Sequence, residues 1–294
     1  MTDPPAPPVP ASRSGRAGLV LFLVVAVAPV AFALGYAALY SVGAVGLLSG
    51  GLSLGPWARV LAEGEAAGAF GLSLYVAAVT VGLTVALSLT LALAFRRQLG
   101  EGRALHTFFY APLAIPAVVG AFLVFQLLTP SGLVARWLAA AGLLSSMDAF
   151  PRLVNDRWAV GVLVAHVGLA VPYFTLLFAE VHRAERLDEL ARLARTLGAT
   201  ARDVRWRLEV PVLLRRAGTN AALLFVAVFG SYEIPLLLGR QSPQMVSVLT
   251  LRKFERFNLA DKPEAFVLAL LYTAVVVALL VALFRWGRVA AWDR

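Results

Sequence analysis

RLARTLGATARDVRWRLEVP, residues 192–211, lies between two long apolar runs and carries the most decisive pattern in the chain. Leu190, Leu193, Ala194 and Leu197 recur at i, i+3, i+4 and i+7, the apolar stripe of an amphipathic helix. Arg186, Asp188, Arg192, Arg195 and Thr196 fall on its other faces. Gly198 ends that helix, because the left-handed turn after a helix costs glycine least. Thr200 and Asp203 have capping-box spacing, with Asp for the usual Glu, and start a second short helix carrying Val204, Trp206 and Leu208. Pro211 stands where the chain returns to apolar sequence, tolerable at a helix's first turn. The stretch reads as helix, sharp turn, helix.

What surrounds it reads as membrane. The chain has 294 residues, 60% of them apolar, a composition outside the soluble globular class. Six apolar runs, near 18–48, 70–95, 107–128, 158–181, 217–238 and 265–285, each meet the roughly 20 residues a spanning helix requires. The predicted fold is therefore all-α, six transmembrane helices over residues 18–285 with an amphipathic hairpin at 182–216. Residues 1–17, with five prolines and no apolar period, read as a disordered tail, and 286–294 as a short terminal one. The first run follows two arginines but exceeds a signal peptide's apolar region of about 7–15 residues, so it reads as a signal anchor. Pro29, Pro112, Pro116, Pro172 and Pro235 interrupt the runs, which points to a kinked bundle around a path.

Arginine and lysine set the orientation. With the N-terminus inside, the inner segments (1–17, 96–106, 182–216, 285–294) hold 17 cations and the outer loops (49–69, 129–157, 239–264) hold 9. Nine of the 17 sit in 182–216, so both termini and the hairpin are expected on the cytoplasmic side of a bacterial inner membrane. The last outer loop is basic for its side, with Arg240, Arg252, Lys253, Arg256 and Lys262, and pairing with Glu255 and Asp261 is expected to offset this. An arginine-rich hairpin on the inner face has two readings. It lies on anionic lipid, or something docks on it.

In this topology the hairpin resembles the "EAA" loop of ABC-importer permeases, in which EAA, three residues, Gly, a helical spacer and Pro precede the penultimate span. Leu197-Gly198-Ala199 matches the common L-G-A, Pro211 follows Gly198 at the family's distance, and Ala194 fills the third position of the triplet. Arg192 replaces the family's glutamate and Leu193 its first alanine. The segments Gly230–Gly239 (GSYEIPLLLG) and Lys262–Leu270 (KPEAFVLAL) resemble permeases of the spermidine/putrescine type. The resemblance implies a type I importer permease whose loop is a coupling helix docked on a cytoplasmic ABC ATPase dimer. It also implies a second permease subunit, the same chain or a paralogue, and an extracytoplasmic solute-binding protein. In that family the glutamate is expected to pair with a basic residue of the ATPase. Here either the ATPase differs in charge, or Glu189 or Asp188, one turn earlier, makes the contact.

Several chemistries are excluded. Neither of the two lysines, Lys253 and Lys262, follows a glycine, so no P-loop exists and ATP must be hydrolysed elsewhere. With no cysteine, and with His106, His166 and His182 scattered, no metal or cofactor site is expected, and catalysis is not. The excess of 26 cations over 17 carboxylates follows topology and gives no sign of nucleic acid. Ionisable and polar groups inside the runs are few and expensive there. Glu233, beside Tyr232, and Gln126 are candidates for a solute path or gate, Glu233 either facing the path or lying at the outer interface. His166 reads as a packing residue.

The expected function is the permease subunit of an ATP-driven importer. The solute indicated by segment resemblance is a polyamine, with sugars, other organic cations and metal chelates as alternatives. An ion-coupled secondary transporter and a membrane scaffold are the rival classes. The first needs coupling carboxylates and repeated halves, of which the chain shows one candidate and none. The second leaves the kinked bundle unexplained.

Overall fold

The computed structural model describes residues 13–46, 50–101 and 103–292. Most of the expected N-terminal tail, residues 1–12, lies outside them, and residues 13–17 are already helical. The described residues form helices and turns, with no strand among them. The first span joins α1 (Arg13–Phe22), a π-helical turn (Leu23–Val27) and α2 (Ala28–Ser41). The short α3 (Gly55–Ala62) leads into α4 (Gly64–Ala94), the second span. Then come α5 (Arg96–Glu101), α6 (Arg103–Tyr110), α7 (Ala117–Leu128) and α8 (Leu133–Ala140). The fourth span is α9 (Val160–Ala184), followed by α10 (Leu187–Thr196), α11 (Ala201–Asp203) and α12 (Val210–Phe229). Two short helices, α13 (Glu233–Leu238) and α14 (Val246–Glu255), precede α15 (Lys262–Trp292).

Six helical stretches are long and apolar enough to cross a membrane: Ala17–Ser41, Gly64–Ala94, Ala117–Ala140, Val160–Ala184, Ala201–Phe229 and Leu259–Ala282. The number is the one the apolar runs predict; several boundaries differ, the first helix, for one, ending at Ser41 and not near 48. The run at 107–128 divides, because Pro112 and Pro116 end α6 in a 3-10 turn (Ala111–Ala114) before α7 begins. The fifth helix starts well before 217: α11 passes through a π turn (Val204–Glu209) into α12 without a break. The helix of α15 continues past 285 to Trp292.

Small side chains close the centre. Ser73, Thr80, Thr84 and Ser88 line one face of α4 with no exposure, which lets α9 approach closely. Tyr75 Oη donates to the Trp158 carbonyl (3.2 Å) and Ser88 Oγ to that of Val171 (3.1 Å). The partners in both pairs are 83 positions apart, so the two helices run in step across the membrane. One apolar cluster, with Val76, Ala121, Val162, Phe229, Ile234 and Leu268, fills the half of the bundle away from the hairpin. A second, with Ala92, Phe174, Phe178, Leu187, Leu213 and Ala217, fills the end next to it. The first span packs on α15 only near its end, where Tyr40 meets Phe266 at 4.5 Å between ring centres.

Candidate functional site

The hairpin is built as its residues dictate. Arg186 adopts a left-handed conformation (φ +48°) that turns the chain off α9 and into α10. Asp188 and Glu189 occupy the first turn of α10 and Arg195 its last, each suited to the helix dipole. Gly198 (φ +90°) closes α10: its N–H donates to the Arg195 carbonyl, and the Ala199 N–H donates to that of Ala194. These two bonds are a Schellman turn. The expected capping box is present, with Asp203 N–H donating to Thr200 Oγ1 (3.2 Å) and Thr200 N–H to Asp203 Oδ2 (3.3 Å). Pro211 lies in the first turn of α12, where the preceding π turn absorbs its missing donor. The second helix of the hairpin and the fifth span are thus one rod, not two elements.

Two faces of α10 have different fates. Leu187 and Ala191 are buried, Leu187 within the second apolar cluster, so the root of the hairpin is fixed to the bundle. Leu190, Leu193 and Leu197 are exposed, the last at 88%. Ala194 and Ala199 are half-buried, and Arg192 is exposed without an ion pair among the described residues. The apolar stripe read from the sequence therefore faces outward, and the helix packs on the bundle through its neighbouring edge.

A polar clamp missed in the sequence holds this root. Glu209, 3% exposed, lies 2.9 Å from Arg96 Nη1 and 3.7 Å from His182 Nε2. Asp188 reaches toward both Arg96 (4.0 Å) and His182 Nδ1 (3.9 Å). Arg216 pairs with Glu185 at 2.6 Å. Asp188 is thus engaged within the chain, whereas Glu189 is exposed and makes no ion pair among the described residues.

On the opposite side, the fifth helix stops at Gly230, where an added Cβ would sit 2.0 Å from Tyr272 Oη. Tyr232 and Glu233 follow this break, Tyr232 as the N-cap of α13 and Glu233 exposed in its first turn. Tyr232, Leu236, Gln241, Gln244, Arg252 and Glu255 line a cavity of about 150 Å³. Gln126 is not brought to it. It lies on the face of α7 that exposes Phe122 and Leu123, away from Ala121 and Val124, which pack in the core. His166 is 8% exposed on α9, and no group of three or more His, Cys, Asp or Glu able to hold a metal occurs among the described residues.

The basic last loop is neutralised mainly from a distance. Lys253, 3% exposed, lies 2.8 Å from Glu264, 3.0 Å from Glu63 and 3.7 Å from Glu65. Arg59 pairs with Glu264 (2.7 Å), and Arg252 with Glu65. The expected partner Asp261 does pair, with Arg256 at 3.2 Å, while Glu255 is exposed. Burial alone would lower the Lys253 ammonium, but hydrogen bonds to Glu264 and Glu63 outweigh it and hold the group above its ordinary range.

Residues 87–288, which contain the hairpin and its clamp, match the family described as binding-protein-dependent transport system inner membrane component. The chain belongs to that family. It is the multi-pass inner-membrane permease subunit of an ABC importer; it is not itself an enzyme, and ATP hydrolysis belongs to a separate ATPase subunit. This permease is 29% identical over 213 residues to the molybdenum transport system permease protein ModB of Mycobacterium bovis, covering 72% of this chain and 75% of that one; the Mycobacterium tuberculosis protein matches equally. It is 30% identical over 185 residues to the sulfate transport system permease protein CysT of Synechocystis, covering 62% and 61%. Its fold is similar to a chain of a bacterial ABC transporter involved in alginate import, with TM-score 0.67, 17% identity and 92% of each chain covered. Membership removes the secondary-transporter and scaffold readings. Permeases of this family work with an ATPase and a solute-binding protein.

Proposed function

We propose that this permease imports a small oxyanion, driven by an ATPase dimer that docks on α10, with the hairpin and both termini in the cytoplasm. The observation that carries the docking role is the division of α10: Leu187 and Ala191 buried, Leu190, Leu193 and Leu197 exposed. A helix lying on lipid needs no rigid attachment, whereas a helix that transmits force does, and the Arg96–Glu209–His182 clamp supplies one. The coupling set comprises Leu193, Ala194, Leu197, Gly198, Ala199 and Pro211, with Arg192 beside them. Glu189, exposed and without an ion pair among the described residues, would take over the contact of the family's glutamate. A second permease, the same chain or a paralogue, completes the path, and the exposed apolar residues Phe122 and Leu123 of α7 and Leu214 and Leu223 of α12 offer it a face.

The oxyanion reading rests on the molybdenum and sulfate permeases that this chain resembles. A polyamine was indicated by the segments at Gly230–Gly239 and Lys262–Leu270 alone, and no relative named above supports it. The outer loops, with nine cations against seven carboxylates, give no field that would draw in a polycation. The test is ATP hydrolysis by the reconstituted transporter with its binding protein, in the presence of molybdate, sulfate or putrescine. Stimulation by an oxyanion is expected; stimulation by putrescine alone overturns the reading. Cross-linking of Leu197→Cys to the ATPase is expected in the same preparation, and its failure would separately remove the docking role.

A further inference from the structure

We propose that the groove between the end of α4 and the π turn Val204–Glu209 binds an anionic phospholipid, with its phosphate on Arg205 and its glycerol–acyl junction against Trp206. The groove measures about 230 Å³ and is lined by Leu89, Leu93 and Ala94 of α4, Val210 of α12, and Arg205 and Trp206 of the turn. Its walls are mostly carbon and its one charged side chain is a cation, the composition that a lipid headgroup and upper acyl chain would fill.

Depth supports this occupant. At 1.5 Å per residue the 31 residues of α4 reach about 46 Å, against about 30 Å of hydrocarbon. Upright and centred, α4 overruns the hydrocarbon by roughly 8 Å at each end, about five residues, which would put Thr90–Ala94 at headgroup level. Trp206 is 62% exposed, a costly state for an indole in water and a favoured one in the interfacial belt. That depth is the same for either orientation of the chain.

Charge narrows the choice. Arg207 of the same turn is paired with Asp203 (3.4 Å), and Glu209, four residues beyond Arg205, is engaged by Arg96. Arg205 itself makes no ion pair among the described residues.

The test is native mass spectrometry of the full-length permease with phosphatidylglycerol or phosphatidylcholine added. Phosphatidylglycerol adducts are expected to be about fivefold favoured, the factor one interfacial arginine supplies, and Arg205→Gln should abolish the preference. Trp206→Ala should weaken binding of both lipids, while Arg152→Gln, an exposed arginine of another loop, should change neither. Equal binding of the two lipids by the wild type, or an unchanged preference in Arg205→Gln, overturns the proposal. So does a photo-reactive residue at position 206 that, in the assembled transporter in phosphatidylglycerol-containing vesicles, cross-links to a protein subunit and not to lipid.

Discussion

Arg96 Nη1 stands 2.9 Å from Glu209 Oε1, fastening the link between α4 and α5 to the turn that begins the fifth span. The side chain of Glu209 is 4% exposed and that of Arg96 39%, so removing the arginine leaves a buried carboxylate with His182 as its nearest partner. Fully buried pairs cost about 3–5 kcal/mol to break, and solvent around Arg96 reduces this to about 2 kcal/mol. Thermal unfolding of Arg96→Ala in detergent should show that loss, and the double variant Arg96→Ala/Glu209→Gln should recover part of it. A neutral Arg96→Ala would show that the clamp does not hold the hairpin.

Gly198→Val should uncouple the transporter. Nothing lies within 4 Å of an added Cβ, so the penalty is the backbone's alone: φ of +90° costs a β-branched residue roughly 1–3 kcal/mol. The spans are untouched, so insertion and expression should be normal. Uptake should fall while ATP hydrolysis persists or ATPase binding weakens. Normal uptake at normal expression contradicts the coupling role.

Lys253→Met should destabilise the end of the bundle away from the hairpin, because Glu63, Glu65 and Glu264 are left facing one another with Arg59 and Arg252 to offset them. A loss of about 3 kcal/mol is expected in thermal unfolding. The pH sign follows from the raised folded-state value of Lys253. Its contribution is complete below the ordinary lysine value of 10.5 and is lost only as pH climbs through the higher folded one. The difference between wild type and variant should therefore stay constant from pH 6 to 9; a difference that vanishes within that window contradicts the assignment.

A single cysteine replacing Thr200 should resist impermeant maleimide in intact cells and react after the membrane is opened, because the hairpin is assigned to the cytoplasm. The chain has no cysteine of its own to confuse the readout. Labelling of intact cells would invert the topology.

Glu233→Gln separates the two solute classes. Glu233 is exposed in the first turn of α13, beside the cavity that Tyr232 lines. With an anionic solute, removing its charge removes repulsion, so uptake should be unchanged or faster. A fall of about tenfold or more, with the complex intact, points to a cationic solute after all.

Six spans and the helix–turn–helix at 187–203 were legible because each rests on local chemistry: twenty apolar residues, a glycine at positive φ, a threonine three residues before an aspartate. The continuity through Pro211 was not, since a π turn leaves no mark in residue type. Nor was the outward aim of Leu193 and Leu197, which depends on where α9 and the clamp hold α10. Glu209 and Lys253 looked like isolated charges near apolar runs, and their partners lie 113 and up to 190 positions away. Gln126 and Glu233 shared only the property of being polar in apolar runs, and the fold put them on different surfaces.

The fourth span gives the molecule a lever with a soft centre. α9 is about 37 Å long, runs unbroken to the hairpin, and packs near α13, where the Asn155 N–H of the loop preceding α9 donates to the Leu238 carbonyl. Tilted by ten degrees about its middle, a rigid rod of this length would carry each end roughly 3 Å. Pro172 sits at that middle, twelve residues from either end, where its ring leaves the Gly168 carbonyl without a helical partner. Bending stiffness is lowest where the torque is greatest, and the helix therefore yields at its fulcrum before it overloads either end.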